Sequence, residues 1–287
     1  MSGFIKGFFG FLIFVFNVIS RLFTIARPLQ KSYSGKLCVL ANGPSLKNEL
    51  ENIANYVIPN NVDYGVVNFF AFEELFPKIR PKHYSLADPM FFQTTRNIEN
   101  VKKLFGILNM AVTWDMTIYV PSHRFDQFIK FSELNNSFIK VQRVNTITYT
   151  GFERLRYYFY EKSIASPKIQ TVAVLAIFVG LNLGYKEIDL FGVDHSFMDS
   201  LFVDENNQLF NRELHFYDNG KTALKPILKN ADDAPWKVSE YLIAISNMFK
   251  GHEHLEQYAA YLGAKILNCT PGSFIDAYQR RKNFHTD

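Results

Sequence analysis

Lys36-Leu37-Cys38-Val39-Leu40-Ala41-Asn42-Gly43-Pro44-Ser45-Leu46 is the stretch whose reading decides the fold. A compact apolar run passes into Asn-Gly-Pro-Ser and then into a helical pattern, which predicts a first β-strand, a phosphate-facing turn and a helix start. In such a turn Gly43 lets the backbone approach a ligand, Pro44 suits a first helical turn, and Ser45 can satisfy a free N–H. An ordinary strand-to-helix loop reads the same way on these residues alone, because Asn-Gly-Pro is common turn chemistry.

Downstream, Asp63-Tyr64-Gly65-Val66-Val67-Asn68 reads as a second buried strand ending in a polar residue, and Lys82-His83-Tyr84-Ser85-Leu86-Ala87-Asp88-Pro89 as a third, stopped by its proline. Three strands thus deliver Asn42, Asn68 and Asp88 to one edge, and in an open parallel sheet the carboxyl edge is where ligands bind. Residues 112–120 predict a further strand, 124–131 a short helix, and 152–160 an amphipathic helix or lid element. Lys168-Ile169-Gln170-Thr171 opens a long apolar helix over 172–183 that ends at Gly184, and the strand 187–192 discharges into Val193-Asp194-His195-Ser196. Helix, turn and strand make half of a crossover unit, so the expected architecture is alternating α/β with a mostly parallel sheet.

Between 196 and 237 the periodicity fails, which is the mark of a lid or binding loop, and its aromatics argue for order. Residues 238–262 then read as a helix, 265–268 as the last strand, and 271–281 as a C-terminal helix. Upstream, residues 4–25 are apolar and rich in phenylalanine, with Lys6 and Arg21 bracketing an uncharged run. That run falls short of the roughly 20 residues a spanning helix needs. The favoured reading is a helix lying in the membrane interface, residues 1–27, with Lys6, Arg21, Arg27, Lys31 and Lys36 near headgroups. A single span and a signal peptide are the alternatives, and residues 28–35 read as a polar linker to one domain, 36–287.

The formal charge of +4, with Lys and Arg scattered, gives no basic stripe and points away from nucleic acid. Two cysteines, Cys38 and Cys269, each in an apolar run, read as buried reduced thiols.

Taken together, the pattern resembles the bacterial CMP-sialic-acid-dependent sialyltransferases that decorate lipooligosaccharide, and more loosely the motility-accessory-factor and MptE-like Rossmann proteins. The likeness rests on Asn42-Gly43-Pro44-Ser45-Leu46-Lys47, on Asn68, on Asp88-Pro89 followed by Met90-Phe91-Phe92, and on Leu183-Gly184-Tyr185-Lys186-Glu187-Ile188 leading to Asp194. It implies a Rossmann-like, mostly parallel sheet flanked by helices, with a mobile lid, and inverting transfer from a CMP-linked sugar without a metal cofactor. By that likeness Asn42 and Asn68 would contact the nucleotide and its phosphate. Asp88 stands where those enzymes have an asparagine near the donor, which leaves the sugar open. Lys168 and Thr171 reproduce the spacing of a basic residue and a hydroxyl at a donor-binding helix start, sound physics for holding an anion.

Inverting transfer needs a base for the acceptor hydroxyl, and histidine suits that task. His252 shares an inward helical face with Leu255, Ala259 and Leu262 and is the first candidate, His215 in the lid the second, and His195 the third, with a donor contact as its other role. No Asp-x-Asp triplet occurs, and the imidazoles of His252 and His254 lie two apart on a helix, facing away from each other, so no metal is expected. The expectation is a membrane-associated glycosyltransferase at the cytoplasmic face of the inner membrane. Its partners would be a CMP-sugar donor, a lipid-linked glycan acceptor and the membrane surface. A transferase of another nucleotide sugar, an MptE-like pyrophosphokinase, and a non-catalytic nucleotide-binding envelope-assembly protein are the rivals.

Overall fold

The computed structural model describes residues 2–53, 62–94, 97–199, 201–213, 223–229 and 234–281. In chain order the strands of the main sheet are β1 (Lys36–Leu40), β2 (Asp63–Val67), β3 (His83–Ser85), β4 (Met116–Pro121), β5 (Ile139–Val144) and β6 (Glu187–Phe191). Three short strands follow, β7 (Leu201–Val203), β8 (Leu209–Glu213) and β9 (Ala223–Pro226), and then β10 (Lys265–Asn268) and β11 (Gln279–Arg280). The helices are α1 (Ser2–Ser20), α2 (Leu46–Asn52), α3 (Phe76–Ile79), α4 (Ile98–Ala111), α5 (Phe125–Ser132), α6 (Glu153–Glu161), α7 (Val172–Leu183) and α8 (Val238–Tyr261).

Eight strands form one sheet in the order β11-β10-β6-β1-β2-β3-β4-β5, and every described pair in it is parallel. The chain steps outward from β1 to β5, then returns through α6 and α7 to lay β6 on the other side of β1. The reversal between β1 and β6 is the topological switch point, where the carboxyl ends of two adjacent strands lead to opposite sides and open a crevice. Both faces of the sheet are covered, so its strands are apolar on alternate residues in both directions. Leu37 and Val39 face a core built on α7 and α8; Cys38 and Leu40 face one built on α3, α4 and α5. Helix α7 is apolar all round and buried from Ala173 to Leu183, as a helix between a sheet and an outer helical layer must be.

Helix α1 is a part of this packing. Phe14, 2% exposed, packs edge-on against Tyr149 and Phe159 at centroid distances of 4.9 Å, a burial that contributes about 1.5–3 kcal/mol. Two glycines let the helix sit down closely. A Cβ on Gly10 would lie 1.9 Å from the Thr150 carbonyl oxygen, and one on Gly7 2.6 Å from the Phe152 ring. The opposite face, with Phe9 60% and Phe16 70% exposed, is bare apolar surface, and α1 is the one described helix long and apolar enough to cross a membrane.

The segment 26–35, which includes the expected polar linker 28–35, is strapped to the domain, Leu29 N–H donating to Ser163 Oγ. Ala26 exchanges hydrogen bonds with the buried Asn145 side chain, Tyr33 N–H donates to the Leu183 carbonyl, and the Tyr33 ring stacks on Tyr185.

Two further expectations need correction. Residues 271–281 form a turn and the edge strand β11, not a helix. Gly272 has φ +67°, and the Arg280 guanidinium and Asn268 amide bind carbonyls and a hydroxyl of the turn instead. The segment expected as an irregular lid carries the antiparallel sheet β7-β8-β9. Its first hairpin turns on Asp204, whose carboxylate accepts from the backbone of Asn206 and Gln208, with Asn207 at φ +59°.

Candidate functional site

A cleft of about 1190 Å³ runs along the carboxyl edge of the sheet, from the switch point at β1 and β6 to the ends of β4 and β5. Of the residues singled out from sequence, Asn42, Gly43, Pro44, Asn68, Asp88, Lys168, Thr171, Asp194 and His195 all line it. They come from five separate segments of chain, and the fold brings them to one wall.

At the switch point the two turns are clasped together. Gly43 N–H donates to the Gly192 carbonyl at 2.8 Å, and the Asp194 carboxylate accepts from Ser45 N–H at 3.2 Å and Ser45 Oγ–H at 2.9 Å. A Cβ on Gly43 would stand 1.8 Å from Asp194 Oδ2. Gly43 is therefore small in order to admit Asp194, and the expectation that it admits a ligand needs that correction. Ser45 is likewise engaged by Asp194 and is not on the cleft wall. With a carboxylate already at the start of α2, a phosphate approaching there would meet like charge. Burial raises the Asp194 carboxyl above its ordinary range, and the Ser45 hydrogen bonds oppose that shift.

The anion-receptive end is across the cleft, at the start of α7. Lys168, Ile169, Gln170, Thr171, Val172 and Ala173 all line the cleft, so the first turn of a 12-residue helix faces it with its free N–H groups and positive dipole end. Thr171 is the N-cap residue but makes no capping bond, and its Oγ1 is buried without a partner among the described residues. Lys168 is exposed and unpaired among them. A hydroxyl donor, an ammonium and a helix start thus converge, which is the donor set that holds a phosphate or carboxylate.

Asn68 and Asp88 occupy the wall between. Asn68 is held in the left-handed conformation, φ +47°, by its backbone: Tyr84 O–H donates to its carbonyl and its N–H donates to Ser85. Its Oδ1 has no partner among the described residues. Asp88 caps the short turn Pro89–Phe91, Oδ1 accepting from Met90 N–H at 3.1 Å. Burial raises its carboxyl, and the Met90 bond partly offsets this.

The histidines sort themselves by burial. His252 is fully buried, 0% exposed, and does not reach the cleft, so it is not placed to touch a substrate. Its inward-facing position is as expected; what it faces is His195, Nε2 to Nε2 at 2.9 Å, while its Nδ1 lies 2.8 Å from the Tyr278 hydroxyl. Tyr278 O–H has that nitrogen as its one acceptor among the described residues, so it donates to it. His252 must then carry its proton on Nε2 and donate to His195 Nε2, which leaves His195 protonated on Nδ1, an assignment made from the network. His195, at φ +52° and stacked on Phe197, lines the cleft. Burial lowers the His195 pKa to about 4 and holds that of His252 well below the ordinary histidine value, His195 adding to the latter, so both are neutral at pH 7. His215 lies outside the described residues.

The far end of the cleft was not legible in the sequence. Arg21, just after α1, and His123 and Arg124, just after β4, line it together with Thr146 and Thr148 after β5. Arg21 read as a headgroup contact, and nothing local marks His123. Among the described residues no three His, Cys, Asp or Glu side chains gather to hold a metal ion. Comparison with protein-family models, curated proteins and solved structures finds no match for the chain.

Proposed function

We propose that the protein is a membrane-associated inverting glycosyltransferase that moves an acidic sugar, sialic-acid-like or Kdo-like, from CMP to a lipid-linked glycan at the cytoplasmic face of the inner membrane. The observation that carries the reading is the convergence of Asn42, Asn68, Asp88, Lys168, Thr171 and His195 on one switch-point cleft, beside a helix whose outer face is bare apolar surface. The resemblance to the sialyltransferases supplies the donor class.

In this reading the donor phosphate sits at the start of α7, against Thr171 and Lys168. The acceptor hydroxyl attacks the anomeric carbon; the bond from that carbon to the phosphate oxygen breaks, and CMP leaves with the electron pair. His195, neutral and with no partner for its Nδ1–H among the described residues, steadies the departing phosphate. Asp88, with one oxygen unpartnered among the described residues and its carboxyl raised by burial, takes the acceptor's proton, the pKa shift bringing it toward the range a base needs. His252 is a positioning residue that fixes the His195 tautomer.

A donor screen tests the reading. The purified full chain is incubated with CMP-, UDP- and GDP-sugars and membrane lipid extract, with and without EDTA, and released nucleotide is measured. Release of CMP that survives EDTA is the expected result. Turnover of UDP-sugars or ATP alone, strictly dependent on Mg²⁺, contradicts it.

A further inference from the structure

The cleft has a second, basic end that the donor reading leaves unused. Arg21, His123 and Arg124 line it, and none forms an ion pair among the described residues. Arg124 donates to the Gln127 amide oxygen at 2.9 Å, three residues on. Arg21 Nη1 is buried with no partner among the described residues. These groups feel one another: after desolvation, Arg21 and Arg124 are what hold His123 below the ordinary histidine range. Unneutralised like charges gathered in a partly desolvated place cost stability. An anion between them removes that cost, and two guanidinium forks fit the oxygens of a phosphate. Thr146 and Thr148 add hydroxyl donors on the same wall.

The position says where the anion comes from. Arg21 directly follows α1, whose outward residues Phe9 and Phe16 are bare, as is Phe23 just beyond it at 99%, while the inward residues of the helix are fixed to the domain. A helix so placed lies along a bilayer and sets Arg21 at headgroup depth. We propose that Arg21, Arg124 and His123 form a second anion subsite that takes the phosphate or diphosphate of a lipid-borne acceptor entering from the membrane. This deepens the acceptor side of the proposed function and rests on its view of the cleft as a two-substrate site.

The test is binding of the full chain to phosphatidylcholine vesicles that contain a polyprenyl monophosphate, or phosphatidylglycerol adjusted to the same surface charge. It needs no donor, so its failure and a failure of sugar transfer are told apart. Expected is tighter partitioning to the monophosphate vesicles, with that preference lost about tenfold in Arg21→Gln and in Arg124→Gln. Arg124→Lys, which keeps the charge but loses the fork, retains an intermediate preference. Lys6→Gln/Arg27→Gln weakens binding to both anionic vesicles alike. Equal partitioning to the two lipids overturns the proposal, as does a preference unchanged in both glutamine variants. Inorganic pyrophosphate that binds as tightly as the lipid in an Arg21-dependent way also overturns it, by assigning the site to a free phosphate.

Discussion

At the scale of single residues, the site depends on what Gly43 lacks and on where one proton sits. A methyl at position 43 would meet the Asp194 carboxylate at 1.8 Å and the Gly192 carbonyl at 2.4 Å. Gly43→Ala must therefore push the β1 and β6 turns apart, costing about 1–3 kcal/mol as overpacking does, and nucleotide affinity falls at least about tenfold. Thermal unfolding and nucleotide titration check both; a variant with wild-type affinity contradicts the clasp. The histidine chain makes a sharper prediction. In ¹⁵N NMR at pH 7, His195 carries its proton on Nδ1 and His252 on Nε2, and Tyr278→Phe removes the donor to His252 Nδ1 and costs about 1–3 kcal/mol. The opposite tautomers would make His195 the candidate base in place of Asp88, against the proposed assignment. Turn chemistry made Gly43, Asp88, Thr171 and Asp194 visible in the sequence. The Ser45 to Asp194 hydrogen bond spans 149 residues, and no local pattern encodes such a partner.

At the scale of elements, α1 is the case where sequence and structure inform each other most. Its apolar character was plain, but a helix apolar on both faces has no amphipathic contrast to show which side is docked. The inner stripe is Gly7, Gly10, Phe11 and Phe14, at the i, i+3, i+4 and i+7 spacing of one helical face; its meaning emerges only with Thr150, Phe152 and Phe159 in place. Gly10→Val, whose side chain would collide with the Thr150 carbonyl, undocks the helix. Residues 20–27 then become protease-sensitive, and the melting temperature falls by several degrees as Phe14 leaves the core. If Gly10→Val leaves protease resistance unchanged, the helix is not held as described. The long helices α7 and α8 and the strands β1, β2 and β6 were legible because their patterns are long or compact and bounded by Gly or Pro. The edge strand β5, with mostly half-exposed residues, and β11, with two residues, offer no period to read.

At the scale of the whole molecule, the buried imidazoles tie stability to pH. His83, between Tyr119 and Tyr185, is lowered to about 4 from an ordinary value of 6.5, by burial first; His195 matches it, and His252 is likewise held well below 6.5 by burial. A depressed histidine binds fewer protons folded than unfolded. Its contribution is complete above pH 6.5 and is lost as pH falls toward 4, at up to about 1.4 kcal/mol per pH unit for each. Denaturant midpoints should drop steadily from pH 7 to pH 5, and His252→Gln should flatten the slope; a flat wild-type profile contradicts the burial.

The α/β architecture and the cleft edge of its sheet were readable because strand ends and helix starts carry their own chemistry. The division of the cleft into an α7 end and a basic end was not, since it joins α1, β4, β5 and α7 across the fold. That division is tested most directly by a crystal structure of the chain soaked with CMP. The phosphate is expected within hydrogen-bonding distance, about 3 Å, of Thr171 Oγ1 and the first N–H groups of α7. A phosphate seated against Arg21 and Arg124, or CMP bound outside the cleft, would contradict the account.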